Sequence, residues 1–251
     1  MNMKEKLNGS LRGLAQDKST LIAAICLAAA LLVVGYQALV SIGDTIQHLI
    51  YLFEGFEFHL PWLWDNVVVW FWNAFVVTLL WDLAYLALPA GLLLNQTKYK
   101  VLFPIGLLAI AVLSFFGMFG GGYSFVFPTV LSVMGNVIYS LAMTAGFGVI
   151  GLHYFLDGKK LTILFKYIAA GVVVIFHGLN YLFYCFEAIV IAVNYHTGLL
   201  NGIVDWFNTS VGYLVVLLVV AAVVFYNPFK TTDSVAEDAP VAVEDQSADT
   251  L

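Results

Sequence analysis

Long apolar runs, each separated from the next by a short polar segment, dominate the pattern along this chain. Six runs are long enough to cross a bilayer, whose apolar core of about 30 Å requires about 20 helical residues. None shows the alternation of a β-strand, and in lipid a helix satisfies its own backbone hydrogen bonds. The pattern therefore predicts an all-α, polytopic membrane protein, a bundle of six transmembrane helices at 21–40, 66–88, 101–118, 125–156, 161–195 and 211–229.

The fifth run is much longer than a bilayer needs. As a single helix, its 35 residues would extend for about 52 Å at 1.5 Å per residue. Its interior contains Gly171 and Gly178 but no proline and no charged turn. We therefore predict one long helix that protrudes on the outer side, and not two short spans.

All ten Lys and Arg residues fall in or beside alternate connections between the predicted helices. They precede the first helix, follow the second, lie around the connection between the fourth and fifth, and follow the sixth: Lys4, Lys6, Arg12, Lys18, Lys98, Lys100, Lys159, Lys160, Lys166 and Lys230. Because connections rich in Lys and Arg stay in the cytoplasm, both termini are predicted to be cytoplasmic. Residues 1–20 are then a basic cytoplasmic segment, and 21–229 form the transmembrane domain.

Composition supports the membrane interpretation, whereas net charge carries little functional information. The chain is 62% hydrophobic and 10% charged, with a mean hydropathy of +0.93, so its excess apolar surface must face lipid. The formal net charge is −6, but six acidic residues follow Lys230 and the rest of the chain is neutral. Residues 230–251 are predicted to be a disordered, acidic cytoplasmic tail. No basic patch indicates nucleic acid as a partner.

A stripe of polar residues marks one face of the fifth predicted helix. His177, Asn180, Tyr184 and Glu187 follow one another at steps of 3, 4 and 3, so they share a helical face. If Lys166 reaches the inner interface, His177 lies near the middle of the membrane and Glu187 at its outer rim. Of the four, His177 most needs a partner.

The second predicted helix carries an acid at a similar depth. Thr78, Asp82 and Tyr85 share one face at steps of 4 and 3, and a lone carboxylate there would cost several kcal/mol. We therefore predict that Asp82 and His177 face the bundle interior and interact, directly or through water, as a proton-handling or ion-handling pair. The alternative is that each is a satisfied polar residue that fixes helix packing.

The remaining polar groups give weaker signals. Asn136, Ser140 and Thr144 are spaced by fours on the fourth predicted helix and are expected to hydrogen-bond to neighbouring helices. Acidic and histidine residues also occur in the outer connections, but their spacing matches no compact metal motif, and no metal site is predicted. This outer group contains His48, Glu54, Glu57, His59, Asp65, His196 and Asp205.

The sequence contains none of the short signatures of zinc proteases, nucleophile-elbow hydrolases or phosphate-binding loops, so it favours a protein that is not an enzyme and predicts no cofactor. The sequence favours a small permease, channel or transporter component of the cell membrane, and the scarcity of Arg favours a bacterial plasma membrane. Its partners are then the lipid bilayer and a small solute or ion. The alternative is a membrane accessory or scaffold protein that binds a partner membrane protein through its helix faces or acidic tail.

Overall fold

Six helices of 16 to 37 residues form the framework of the part of the chain that the structure describes. The computed structural model describes residues 18–55, 60–69, 72, 76–94, 98–119, 129–156, 163–194 and 198–226. In chain order the helices are α1 (Lys18–Glu54), α2 (Thr78–Leu93), α3 (Leu102–Gly117), α4 (Thr129–Phe155), α5 (Ile163–Asn194) and α6 (Leu199–Tyr226). Short helical segments Leu60–Leu63, Trp64–Val69 and Lys98–Val101 accompany them, and the described part of the chain contains no strand.

The all-helical class is confirmed for these residues. Four stretches among them are long and apolar enough to cross a membrane, namely Ile25–Glu54, Lys98–Gly117, Val130–Phe155 and Ile163–Asn194. Thr78–Leu93 and Ser210–Phe225 are apolar but shorter. The fifth predicted run forms one uninterrupted helix, α5, as expected.

Several predicted boundaries were wrong. Helix α1 continues to Glu54, beyond the predicted end at residue 40, because the amphipathic stretch that follows keeps a helical backbone. The α-helical part of the second run begins only at Thr78, after a π-helical turn at Trp64–Val69, and it continues through Pro89 to Leu93. Helix α6 begins at Leu199, within what was predicted to be a polar connection. The basic N-terminal segment up to residue 17 and the acidic tail lie outside the described residues.

The helices are arranged as a closed ring. Each helix contacts the next one along the chain, and α6 returns to contact α1. Neighbours run antiparallel, since Gly91 of α2 lies against Phe103 of α3, while Gly106, further along α3, lies against Ala84, earlier in α2. Such an up-and-down order is what short connections between helices produce.

The two ends of the bundle differ in how tightly they are filled. We call the end that carries the α2–α3 and α4–α5 connections the base, and the end that carries the α3–α4 and α5–α6 connections the mouth. Towards the base the interior is tightly packed with mainly apolar side chains, although His153 and Lys166 are also buried at that end. Side chains from five helices are fully buried there: Leu88, Leu107, Ile150, Val173 and Val224. This packing leaves the mouth half of the ring as the place where an internal cavity can form.

Close approach of α4 to its neighbours depends on two glycines. A Cβ atom added at Gly146 would collide with the Val173 side chain of α5, and one added at Gly151 would lie 2.9 Å from the Leu108 Cγ atom of α3. Gly135, on the same helix, has no such neighbour within 4 Å. Small residues at helix contacts are a common device of membrane bundles, and here they close the base.

We expect Gly146→Leu to destabilise the bundle and Gly135→Leu to leave it nearly unchanged. Overfilling a packed contact costs about 1 to 3 kcal/mol, because the added side chain must displace Val173 or separate α4 from α5. The measurement is the thermal denaturation midpoint of the purified protein in detergent, with both variants side by side. Equal midpoints for the two variants would contradict the packing of α4 described above.

Candidate functional site: an aromatic cavity inside the helix ring

A cavity of about 450 Å³ lies between α2, α4, α5 and α6. We call it the main cavity, and its described walls are mostly aromatic and hydroxyl-bearing. They are Thr78, Trp81, Tyr85, Tyr139, His177, Asn180, Tyr181, Tyr184, Ser210 and Tyr213. The volume falls within the range of about 300 to 1,000 Å³ that is usual for small-molecule sites.

The main cavity begins where the tightly packed base ends. On α2, α5 and α6 its lining side chains stop within one helical turn of the first fully buried base residues, Leu88, Val173 and Val216. The aromatic residues at this boundary pack on each other, because Tyr85 meets Tyr213 edge to face with ring centroids 4.9 Å apart. Edge-to-face contact is a favoured geometry for such rings, and it gives the cavity a rigid floor.

His177 is the central polar group of the cavity wall. Its Nδ1 atom and the Tyr139 hydroxyl of α4 are joined by a hydrogen bond of 2.9 Å, and its ring lies 4.9 Å from that of Tyr181. The side chain is only 6% exposed, and its Nε2 atom has no hydrogen-bond partner. A buried polar atom without a partner costs about 1 to 3 kcal/mol, so this position favours any ligand or water that can supply one.

A second, smaller cavity lies on the other side of the same wall. This side cavity has a volume of about 160 Å³ and shares Trp81, Tyr85, Tyr139 and His177 with the main cavity. Asn136 also lines it and donates a hydrogen bond of 3.1 Å to the Gly117 carbonyl oxygen of α3. The predicted role of Asn136 as a link between helices therefore agrees with its position.

Asp82 occupies a separate crevice between α1 and α2. The crevice has a volume of about 30 Å³, and its polar lining consists of Ser41, Thr45, Thr78 and Asp82. The Ser41 side chain hydrogen-bonds to the Asp82 carboxylate, which is 8% exposed. Thr78 lines both this crevice and the main cavity, so Asp82 lies directly behind the cavity wall.

Of the predicted interaction between Asp82 and His177, directly or through water, the direct contact is wrong for this structure, and the contact through water stays a prediction. Asp82 interacts with Ser41 of α1, and His177 with Tyr139 of α4. The physical reason is lateral placement: similar depth does not decide which neighbouring helix a side chain meets. His177 lines the main cavity, and Asp82 lies in the crevice between α1 and α2, with Thr78 lining both.

Only part of the predicted polar stripe on α5 lines the main cavity. Asn180 and Tyr184 line the main cavity with His177, although Tyr184 is 49% exposed. Glu187, expected to lie at an accessible rim, is buried with 9% of its surface exposed and does not line the cavity. Its burial follows from the length of α5, which continues to Asn194 and packs along the start of α6, where Gly202 lies against Ala188.

Two further predictions concern α4 and the outer connections. Thr144 donates a hydrogen bond of 2.7 Å to the Ser140 carbonyl oxygen of its own helix, so this hydroxyl does not link two helices as expected. Among the described residues, no group of three or more His, Cys, Asp or Glu side chains is placed to hold a metal ion. Glu57, His59 and His196 lie outside the described residues.

Most of the aromatic wall was missed by sequence reasoning. Trp81, Tyr139, Tyr181 and Tyr213 were not among the predicted site residues, because aromatic side chains in apolar helices are usually core or lipid-facing groups. A usable signal exists for three of them, since tyrosine favours the membrane interface and Tyr139, Tyr181 and Tyr213 lie far from the ends of their helices. No protein-family model, curated protein or solved structure matches this chain.

Proposed function

We propose that the protein is a six-span membrane protein of the cell membrane that binds a small solute in the main cavity, as a permease or transporter component. The observation that carries this proposal is the cavity of about 450 Å³ that reaches the buried His177 inside the helix ring. A protein that served only as a scaffold would need no such space, and its interior would be filled as the base is filled. Polar residues inside membrane bundles commonly mark solute or ion paths.

The proposed orientation has the base in the cytoplasm, and both termini with it. Lys98 and Lys100 belong to the base connection between α2 and α3, and basic residues favour the cytoplasmic side. Lys166 lies near the base end of α5, with its Nζ atom 4.8 Å from the centre of the Tyr167 ring. The Lys166 side chain is only 8% exposed, so this contact supplies a partner to an ammonium group that is buried among the helices.

With this orientation the structure corresponds to an outward-facing state. The main cavity lies on the mouth side of the aromatic floor, and the apolar base below it separates a bound solute from the cytoplasm. Passage through the membrane would require α2, α4, α5 and α6 to separate at the base and close at the mouth. Rocking of helices around a fixed central site is the usual mechanism of such movement.

Transport can be tested by a solute-uptake screen with the purified protein in proteoliposomes. We expect His177→Ala and Asp82→Asn each to lower the uptake rate about tenfold, an effect of about 1.4 kcal/mol, because one lines the cavity and the other supports its wall. Thr144→Val is the matched control, since Thr144 bonds within its own helix and lines neither cavity. Uptake that is insensitive to both variants would contradict a route through this cavity, and absence of uptake for every solute would favour the accessory function.

A further inference from the structure

The lining of the main cavity has a definite chemical character. Among the described residues that line it there is no Lys, Arg, Asp or Glu. Its polar groups are hydroxyls, one amide, the Trp81 indole N–H and the His177 imidazole. Six aromatic side chains form most of the remaining wall: Trp81, Tyr85, Tyr139, Tyr181, Tyr184 and Tyr213.

This lining disfavours two classes of solute. An anion would find no cationic side chain, and it would be repelled by the electron-rich faces of the rings. A small inorganic cation prefers several oxygen ligands that include carboxylates, and the described lining provides no carboxylate. A weakly hydrated organic cation, by contrast, is attracted to tryptophan and tyrosine faces.

A carboxyl group, that of Asp82, lies just behind the aromatic wall. Asp82 is close enough to Tyr213 for its carboxylate to act electrostatically on the Tyr213 hydroxyl, and Thr78 separates its crevice from the main cavity. No described Lys or Arg lines that crevice. Carboxylates inside membrane bundles serve as counter-ions to bound cations, and Asp82 is placed to do so without touching the ligand.

From these observations we propose that the solute is an organic ammonium ion with an apolar body, held by the aromatic faces of the main cavity with Asp82 as its counter-ion. The proposal rests on the proposed function and specifies its solute class. The ammonium group lies towards Thr78 and Tyr213, on the side nearest Asp82. The apolar body lies along the rings near Tyr139 and Tyr181.

The test compares the binding of ligands that have similar shapes and different charges. Radiolabelled 2-phenylethylammonium is bound to the full-length protein in lipid nanodiscs, and it is competed with unlabelled 2-phenylethylammonium, 2-phenylethanol or phenylacetate. We expect the ammonium ion to compete at a concentration at least about tenfold lower than the alcohol. Phenylacetate should not compete.

Two variants separate the roles of charge and aromatic faces. Asp82→Asn should weaken binding of the ammonium ion about tenfold and leave competition by the alcohol unchanged, because only the charged ligand uses the carboxylate. Trp81→Leu should weaken the ammonium ion about threefold or more, whereas Tyr213→Phe, which keeps the ring, should have a smaller effect. Unaltered thermal denaturation midpoints would show that the variants remain folded.

Several outcomes would overturn this solute class. They are equal competition by the alcohol and the ammonium ion, stronger competition by phenylacetate, an Asp82→Asn variant with wild-type affinity, or no saturable binding of the probe. None of these outcomes would by itself contradict the proposed function. That function is tested separately, by whether solute uptake through the main cavity requires His177. Uptake of an uncharged or anionic solute that His177→Ala abolishes would therefore reject the ammonium ion and retain the permease.

Discussion

A cysteine at position 210 should react with a membrane-impermeant maleimide added outside intact cells, whereas a cysteine at position 220 should not react. Ser210 and Val220 lie on the same helix, α6, ten residues apart. Ser210 lines the main cavity on the mouth side of the floor, while Val220 is 2% exposed in the packed base. The variants Ser210→Cys and Val220→Cys would be made in a protein that also carries Cys26→Ser and Cys185→Ser, and labelling would be read as a mass shift.

The orientation is tested in the same experiment by a third variant. Lys98→Cys places the reactive group in the base connection between α2 and α3, so we expect labelling only after the cells are permeabilised. Labelling of position 98 in intact cells would indicate that the orientation is the opposite of the one proposed. Absence of labelling at position 210, in intact and in permeabilised cells, would mean that the main cavity is closed to water in the membrane.

Filling the main cavity should abolish solute binding while the fold survives. Thr78 is half-buried at the junction of the main cavity and the Asp82 crevice, so Thr78→Trp places a large side chain in open space and displaces little of the packed core. We expect the affinity for the transported solute to fall more than about a hundredfold, or about 2.7 kcal/mol, because the added ring occupies the volume that the ligand needs. Equilibrium binding to the purified protein and initial uptake rates in proteoliposomes are the measurements.

Thr78→Val is the matched control, since it keeps the shape of the threonine side chain and removes only the hydroxyl group. We expect it to change affinity by a few-fold at most, in line with the loss of one hydrogen bond. Wild-type binding by Thr78→Trp would be incompatible with a site in this cavity. A large loss in Thr78→Val would instead identify the Thr78 hydroxyl as a principal ligand contact.

The sequence was informative wherever a property depends on the order of residues along one helix. Helical class followed from the length of the apolar runs, whereas the depth of His177 in a membrane stays a prediction. The shared face of His177, Asn180 and Tyr184 followed from their spacing, and these three residues do line one cavity. Periodicity and length act within a single helix, so a linear sequence contains them.

The sequence was not informative where contacts between helices decide the outcome. Asp82 meets Ser41 because α1 packs beside α2, and nothing in the spacing of either helix specifies that neighbour. Burial of Glu187 depends on how far α5 and α6 continue side by side beyond the predicted start of α6. The aromatic wall comes from four helices whose tyrosines are brought together only by the ring arrangement. Lateral packing is a property of the assembled bundle, and a single sequence specifies it only indirectly.

Closure of the ring has a consequence for how the protein is made. The contact that completes it joins the first helix to the last one, with Gly212 of α6 lying against Val33 and Gln37 of α1. During synthesis α1 must therefore remain in the bilayer with one flank uncovered until translation of α6 is complete. Since α6 also supplies Ser210 and Tyr213 to the cavity wall, the main cavity is complete only after the last helix has packed against the others.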